Sequence, residues 1–435
     1  MSTKFFASAC AAIASFTITA ASLSAAPRRA DMPGPQPSLK PKANIGAVAK
    51  DNNAFALDLF QQLREQEGNL FFSPYSISSA LGMTYAGAKG DTAKGMEAAL
   101  HLSLIGNAFH SSLAALSSKL EQDATENKYQ LTVANQLWGE QLFKKFFLQS
   151  FIELNKNLYN AKLETVDFTK AADAAKTINE WVSKKTNGKI KDLVTKAMFE
   201  KPDPTALVLT NAIYFKGDWA TKFEKSATKN EAFFLNTKDS LKTDLMFQQG
   251  DLLYAEDKEA QIVALPYQGN TLQMIVVLPT KKDGLPDLEK SLSLAKLDGW
   301  VSSMFTEDVK VKLPKFKLDS SFGLAKPLKK MGMEQAFSAG ADFSGMADLK
   351  KLSAAMGGDS KLYISDVVHK GFIEVNEAGS EAAAATAVII SVTTESEPVS
   401  RPPKEFTANH PFLYMIRDVK TGAILFMGRM QTPKP

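Results

Sequence analysis

The side chains that could do nucleophilic, acid–base or metal chemistry in this sequence are few and poorly spaced for it. His101, His110, His369 and His410 are scattered, with no pair at i,i+4, so no helix face offers two imidazoles to one metal ion. There is no G-x-S-x-G elbow, H-E-x-x-H, C-x-x-C pair, phosphate-cradling glycine loop or EF-hand loop. A triad can be assembled from distant positions in any order, but nothing here points to one. The chain is expected not to be an enzyme and to need no cofactor or metal.

A different chemistry is suggested by Gly379 to Thr394, GSEAAAATAVIISVTT. Its first half is alanine, a helix former, and its second half is β-branched, which favours strands. Written with strand alternation, one face collects Ser380, Ala382, Ala384, Thr386, Val388, Ile390 and Val392. The other collects Glu381, Ala383, Ala385, Ala387, Ile389, Ser391 and Thr393. The first face is uncharged and grows bulkier along its length, as suits a strand that slides between neighbours small end first. Gly379 and the prolines Pro398, Pro402 and Pro403 mark its ends as mobile.

The rest of the chain must supply a sheet for that strand. Its 435 residues, 45% of them hydrophobic, suffice for a large core. With 51 Lys and Arg against 47 Asp and Glu, neither nucleic acid nor a membrane surface is implied as partner. Residues 1–26 read as an export signal: Lys4, an apolar run from Phe5 to Leu23, then Ser24-Ala25-Ala26. Cys10, the only cysteine, leaves with it, so the mature chain is expected to carry no disulfide. Residues 27–47, proline-rich and basic, read as a disordered linker, and residues 48–435 as the folded domain, with order beginning near Asn52.

Ala56, Leu59, Phe60 and Leu63 share a helical face before Gly68. Ser73-Pro74 opens a second, mostly small and apolar helix. A helix carrying Ile178, Trp181 and Val182 runs into Gly188. Strands then take over: TALVLTNAIYF, a hairpin about Gly269-Asn270, DVKVKLPKFKL, and FLYMI with AILFM about Thr421-Gly422. Helices early and strands late point to an α+β fold.

The run VHKGFIEVNEAGSEAAAAT (368–386) closely resembles the hinge of serpins, serine-protease inhibitors that act by loop insertion. The likeness continues through NLFFSPYSISSALGM, LTVANQLWGE, LTNAIYFKGDW, HPFLYMIRD and LFMGRM, in the family's order from about residue 50 onward. It implies three β-sheets, about eight or nine helices and an exposed reactive-centre loop. The implied function is irreversible suicide-substrate inhibition. A target protease forms an acyl-enzyme on the loop, and the freed strand inserts into the main sheet. About 14 residues at roughly 3.3 Å each would carry the ester nearly 50 Å.

By resemblance the hinge comprises Glu377, Gly379, Ser380, Glu381, Ala382, Ala383, Ala384, Ala385 and Thr386. Ser73, Ser76, Asn211 and His369 fall on the shutter, a polar cluster where the main sheet parts. Trp219 falls on the breach where insertion starts, and Lys315 pairs with Glu377 across the hinge base. As an isolated pair, Lys315 and Glu377 read as surface charges worth under about 1 kcal/mol. The family's spacing places the scissile bond between Thr393 and Thr394, with Val392 and Arg401 as alternatives. A β-branched uncharged residue there favours an elastase-like target. ESEPVSRPPKEF (395–406) is longer than the family pattern and loosens that assignment.

The helix around 109–122 corresponds to the heparin-binding helix of some members but offers only Lys119, so no glycosaminoglycan partner is expected. The protein is expected to be a secreted monomer, extracellular or periplasmic. The competing reading is a non-inhibitory serpin acting as a carrier, chaperone or structural protein.

Overall fold

In the computed structural model, residues 43–200, 205–356, 361–380 and 402–433 are described. The segments expected to be export signal and scissile loop, including Glu381 to Thr386, Val392, Thr393, Thr394 and Arg401, lie outside them. Helix α1 spans Ile45–Leu63, its amino end closed by the Asn44 side chain accepting from the Ala47 N–H at 3.0 Å. The boundary expected at residue 47 is therefore too late, because an Asn N-cap satisfies an orphan amide and starts the helix earlier. Helix α2, Pro74–Tyr85, has Ser73 as N-cap and Pro74 in its first turn, and all twelve of its residues are buried. It therefore has no solvent-exposed face.

Ten α-helical segments are present among the described residues, one of them a single turn at Ala325–Leu328. The strands form two hydrogen-bonded sheets. The expected third sheet is continuous with its neighbour because one long strand, Ser240–Glu256, serves both. It pairs with Lys229–Phe234 and Phe305–Pro314, then with Ala260–Pro266.

The six-stranded main sheet positions the site. Its strands are β1 (Gln130–Glu140), β2 (Leu163–Val166), β3 (Leu207–Asp218), β4 (Phe316–Gly323), β5 (Asp366–Asn376) and β6 (Gly379–Ser380), in the order β4-β5-β6-β3-β1-β2. Period-two alternation divides its faces. Trp138, Val208, Ala212, Tyr214, Val368 and Phe372 pack with Ile178 and Val182 of the helix Ala171–Lys185. Leu137, Leu209, Ile213, Phe215, Val367 and Ile373 face the large core that also holds Ile77 and Leu81 of α2. Asn211 shares the odd-numbered face of β3 and therefore meets α2.

Candidate functional site

The site is built on the junction between β5 and β3. Over Asp366–Phe372 and Val208–Tyr214 these strands pair directly and in parallel. Beyond that point they part to admit β6, where Ser380 lies opposite Val375 on one side and Gly217 on the other. Gly379 and Ser380 of the hinge are thus already a short strand within the sheet.

Close approach explains the glycine at this point. A Cβ on Gly379 would lie 2.1 Å from the Gly217 carbonyl oxygen, so any side chain would lever β6 off β3. Ser380 is wholly buried, and its hydroxyl shares a 2.7 Å hydrogen bond with that of Tyr267. Burial pushes the Tyr267 phenol well above its ordinary range, so it stays protonated. Tyr267 in turn stacks on Trp219, with ring centroids 4.6 Å apart and planes 16° apart.

The base of the hinge is fixed through its backbone. The Trp219 indole N–H donates to Asn376 O at 3.0 Å, and the Trp219 and Phe223 amides donate to Ala378 O and Glu377 O at 2.9 Å each. Three successive carbonyls thus rest on the chain leaving β3. The Glu377 carboxylate accepts from Lys315 Nζ at 3.1 Å and from Thr228 Oγ1 at 3.0 Å. Its side chain is only 9% exposed, against 37% for Lys315. Partial burial would raise the Glu377 pKa, but its own backbone N–H, Lys315 and Thr228 together hold it below the usual value. The expectation of a solvated surface pair is corrected: Lys315 is the wetter partner and Glu377 is lodged in the fold.

The four residues expected at the shutter come together below the sheet. Register places His369 opposite Asn211, and Asn211 opposite Asn135. Those three side chains form a row across β5, β3 and β1, aimed at the start of α2. The Ser73 N–H donates to His369 Nε2 at 3.1 Å, leaving Nδ1–H to donate to Asn211 Oδ1. The two hydrogens of Asn211 Nδ2 are shared among Ser76 O at 2.7 Å, Ser76 Oγ at 2.6 Å and Asn135 Oδ1. Ser73 Oγ donates to Leu425 O at 2.6 Å. His369 is fully buried and neutral, and desolvation lowers its pKa to about 3.

Two members of this machinery were not singled out from sequence. Asn135 lies within LTVANQLWGE and Tyr267 within the Gly269-Asn270 hairpin. The second reads as a hairpin and the first only as a piece of the family likeness, and in both only cross-strand register reveals what each side chain touches. Trp219, expected at the breach, is 2% exposed and is hydrogen-bonded to the base of the hinge. Lys119 on the helix Gly106–Asn127 has its charge met by Asp123 and Asp418, the latter at 3.5 Å. Among the described residues no cluster of His, Cys, Asp and Glu is arranged to hold a metal ion, and no helix is long and apolar enough to cross a membrane.

Residues 50–433 match the family model described as serpin (serine protease inhibitor). The leukocyte elastase inhibitor of Xenopus tropicalis is 43% identical, over 87% of this chain and 97% of that protein. The human leukocyte elastase inhibitor is 40% identical, over 89% of this chain and 99% of that one. Among solved structures, Serpin48, a highly specific serpin of the insect Tenebrio molitor, superposes with a TM-score of 0.76 at 30% identity, covering 89% of this chain and 98% of its own. Uncleaved ovalbumin gives 0.75 at 31%, covering 90% of this chain and 100% of its own. With the hinge seated in the main sheet and the shutter row beneath it, the chain belongs to the serpin family.

Proposed function

We propose that this serpin is an irreversible suicide-substrate inhibitor of serine proteases with elastase-like specificity. The observation that carries the reading is the seated strand Gly379–Ser380, wedged between β5 and β3 where their direct pairing ends. It is the start of a new strand, and the small side chains that follow it in sequence can continue downward as β5 and β3 part. The elastase-inhibitor relatives support the target class.

The protease serine oxygen attacks the Thr393 carbonyl carbon. The amide bond to Thr394 breaks, its nitrogen leaves as an amine after taking a proton from the protease's general acid, and an ester joins the two proteins. Insertion then competes with attack of water on that ester. If the protease turns over about 10 times per second, insertion has on the order of 100 ms. Residues 1–26 direct export, and the mature chain acts as a monomer without a glycosaminoglycan.

Incubation of the mature chain with pancreatic elastase, trypsin and chymotrypsin, followed by SDS gels, tests the reading. An adduct that survives SDS with elastase, and a released peptide beginning at Thr394, are the expected results. Cleavage without any adduct would favour a non-inhibitory member, and a peptide beginning at Pro402 would move the bond to Arg401. Sequencing the amino terminus of protein recovered from the source culture medium or periplasm tests export.

A further inference from the structure

We infer that Tyr267 is a positioning residue for loop insertion: its hydroxyl seats Ser380 in the sheet and so holds the first rung of the incoming strand in place before any protease arrives. The inference deepens the inhibitory reading and rests on it for its kinetic consequence, though not for its structural one.

Three observations converge. Ser380 and Tyr267 are both fully buried, and the 2.7 Å contact between their hydroxyls is the side-chain partner each has in that position. The ring of Tyr267 is held between aromatic neighbours, stacked on Trp219 and perpendicular to Phe215 with centroids 5.0 Å apart. Gly217, directly opposite Ser380, leaves room for this arrangement, since a Cβ there would lie 3.1 Å from the Tyr267 ring and 2.8 Å from that of Phe215. A rigid phenol therefore points at one place, and the first inward residue of the hinge fills it. Among the described residues Gly379 and Ser380 themselves are held by pairing to β5 and β3 and by this hydroxyl pair, so the pair is a substantial share of what seats them.

The chemistry of the pair dictates an unusual mutational pattern. Tyr267→Phe strands the Ser380 hydroxyl in an apolar slot, and Ser380→Ala strands the Tyr267 hydroxyl. A buried orphan hydroxyl costs more than the lost bond, whereas removing both partners leaves a compatible apolar contact. Each single variant should unseat the hinge, and the double variant should seat it again. Residues that do not touch behave additively, so rescue in the double variant reports the direct contact.

Insertion that must first reseat Gly379 and Ser380 begins from a depleted population. With an orphaned buried hydroxyl costing about 1–3 kcal/mol, the ratio of turned-over to trapped inhibitor should rise about fivefold or more in either single variant. It should return near the wild-type value in Tyr267→Phe/Ser380→Ala.

Two readouts separate this inference from the inhibitory reading. Hydrogen exchange on the intact, protease-free chain should show protection over residues 376–380 in the wild type, its loss in both single variants and its recovery in the double variant. The partition ratio with elastase should follow the same pattern. Additive loss of protection across the three variants, or full protection in Tyr267→Phe, overturns the role given to Tyr267. Rescue of protection in the double variant, with no adduct from any of the four proteins, upholds the seat and instead overturns the inhibitory function.

Discussion

Ser380 occupies a space with no room for charge and no water to solvate it, which makes it a sharp probe of the mechanism. Ser380→Arg would bring a guanidinium to a fully buried position, at a cost of several kcal/mol. The core does not depend on β6, so the expected outcome is a folded protein with its hinge expelled. Even about 3 kcal/mol in the insertion barrier slows that step more than a hundredfold. The variant should be cleaved by elastase without forming an adduct, and undiminished trapping would contradict the seating of Ser380.

His369 makes a second prediction at this scale. Its pKa falls from 6.5 to about 3 on folding, so between those values the unfolded chain binds a proton that the native chain refuses. The contribution to stability is complete above about pH 6.5 and drains away as pH falls, by up to roughly 1.4 kcal/mol per pH unit. His110, lowered by burial to about 4, adds a similar term with the same sign. Denaturant midpoints measured between about pH 7 and pH 4 should decline more gently in His369→Gln than in the wild type. Identical slopes would mean that folding does not lower the His369 pKa.

Between residues and the whole lies the question of what keeps β5 and β3 together. Seven residue pairs, Asp366–Phe372 with Val208–Tyr214, hold the seam, and the His369–Asn211–Asn135 row ties it to α2 from below. Asn211→Ala leaves His369 Nδ1–H and the Asn135 carbonyl oxygen without this partner in a buried setting, costing about 2–4 kcal/mol. The strands should then part more readily. A synthetic peptide with the sequence of residues 380–393 should enter the sheet several-fold faster than in the wild type, read as a band shift on native gels. Uptake at the wild-type rate would assign the row a purely static role.

How far the sequence reveals this element is clear from its members. The Ser73-Pro74 start of α2 and the apolar run of β3 follow from local rules, because a cap and a buried strand are written in adjacent residues. Ser73, Ser76, Asn211 and His369 could be grouped only through family resemblance, since they are far apart in sequence and meet through register. Asn135 and Tyr267 escaped for the same reason. The burial of Glu377 was missed because the N–H groups of Trp219 and Phe223, which donate to the carbonyls of Asn376, Glu377 and Ala378, are tertiary contacts.

At the scale of the whole molecule, the proposed mechanism has the main sheet with one place already taken by Gly379–Ser380 and draws the energy for trapping from filling the rest. The inward face of the inserting strand includes Val388, Ile390 and Val392. Burying each is worth about 1.5–3 kcal/mol, so the three together contribute roughly 5–9 kcal/mol before any backbone pairing is counted. At about 2 °C per kcal/mol for a large domain, cleavage of the loop should raise the melting temperature by at least about 10 °C. The gain requires that β5 and β3 exchange their seven direct pairs for pairs with the new strand on both sides, which leaves more ladder hydrogen bonds after insertion than before. A thermal scan of the chain before and after nicking by a protease that it does not trap measures this directly. A melting temperature unchanged by the nick would mean that the cut loop stays out of the sheet, leaving no energy to immobilise a protease. A rise with Ser380→Arg as large as with the wild type would mean instead that the strand enters without passing through the seat beside Tyr267.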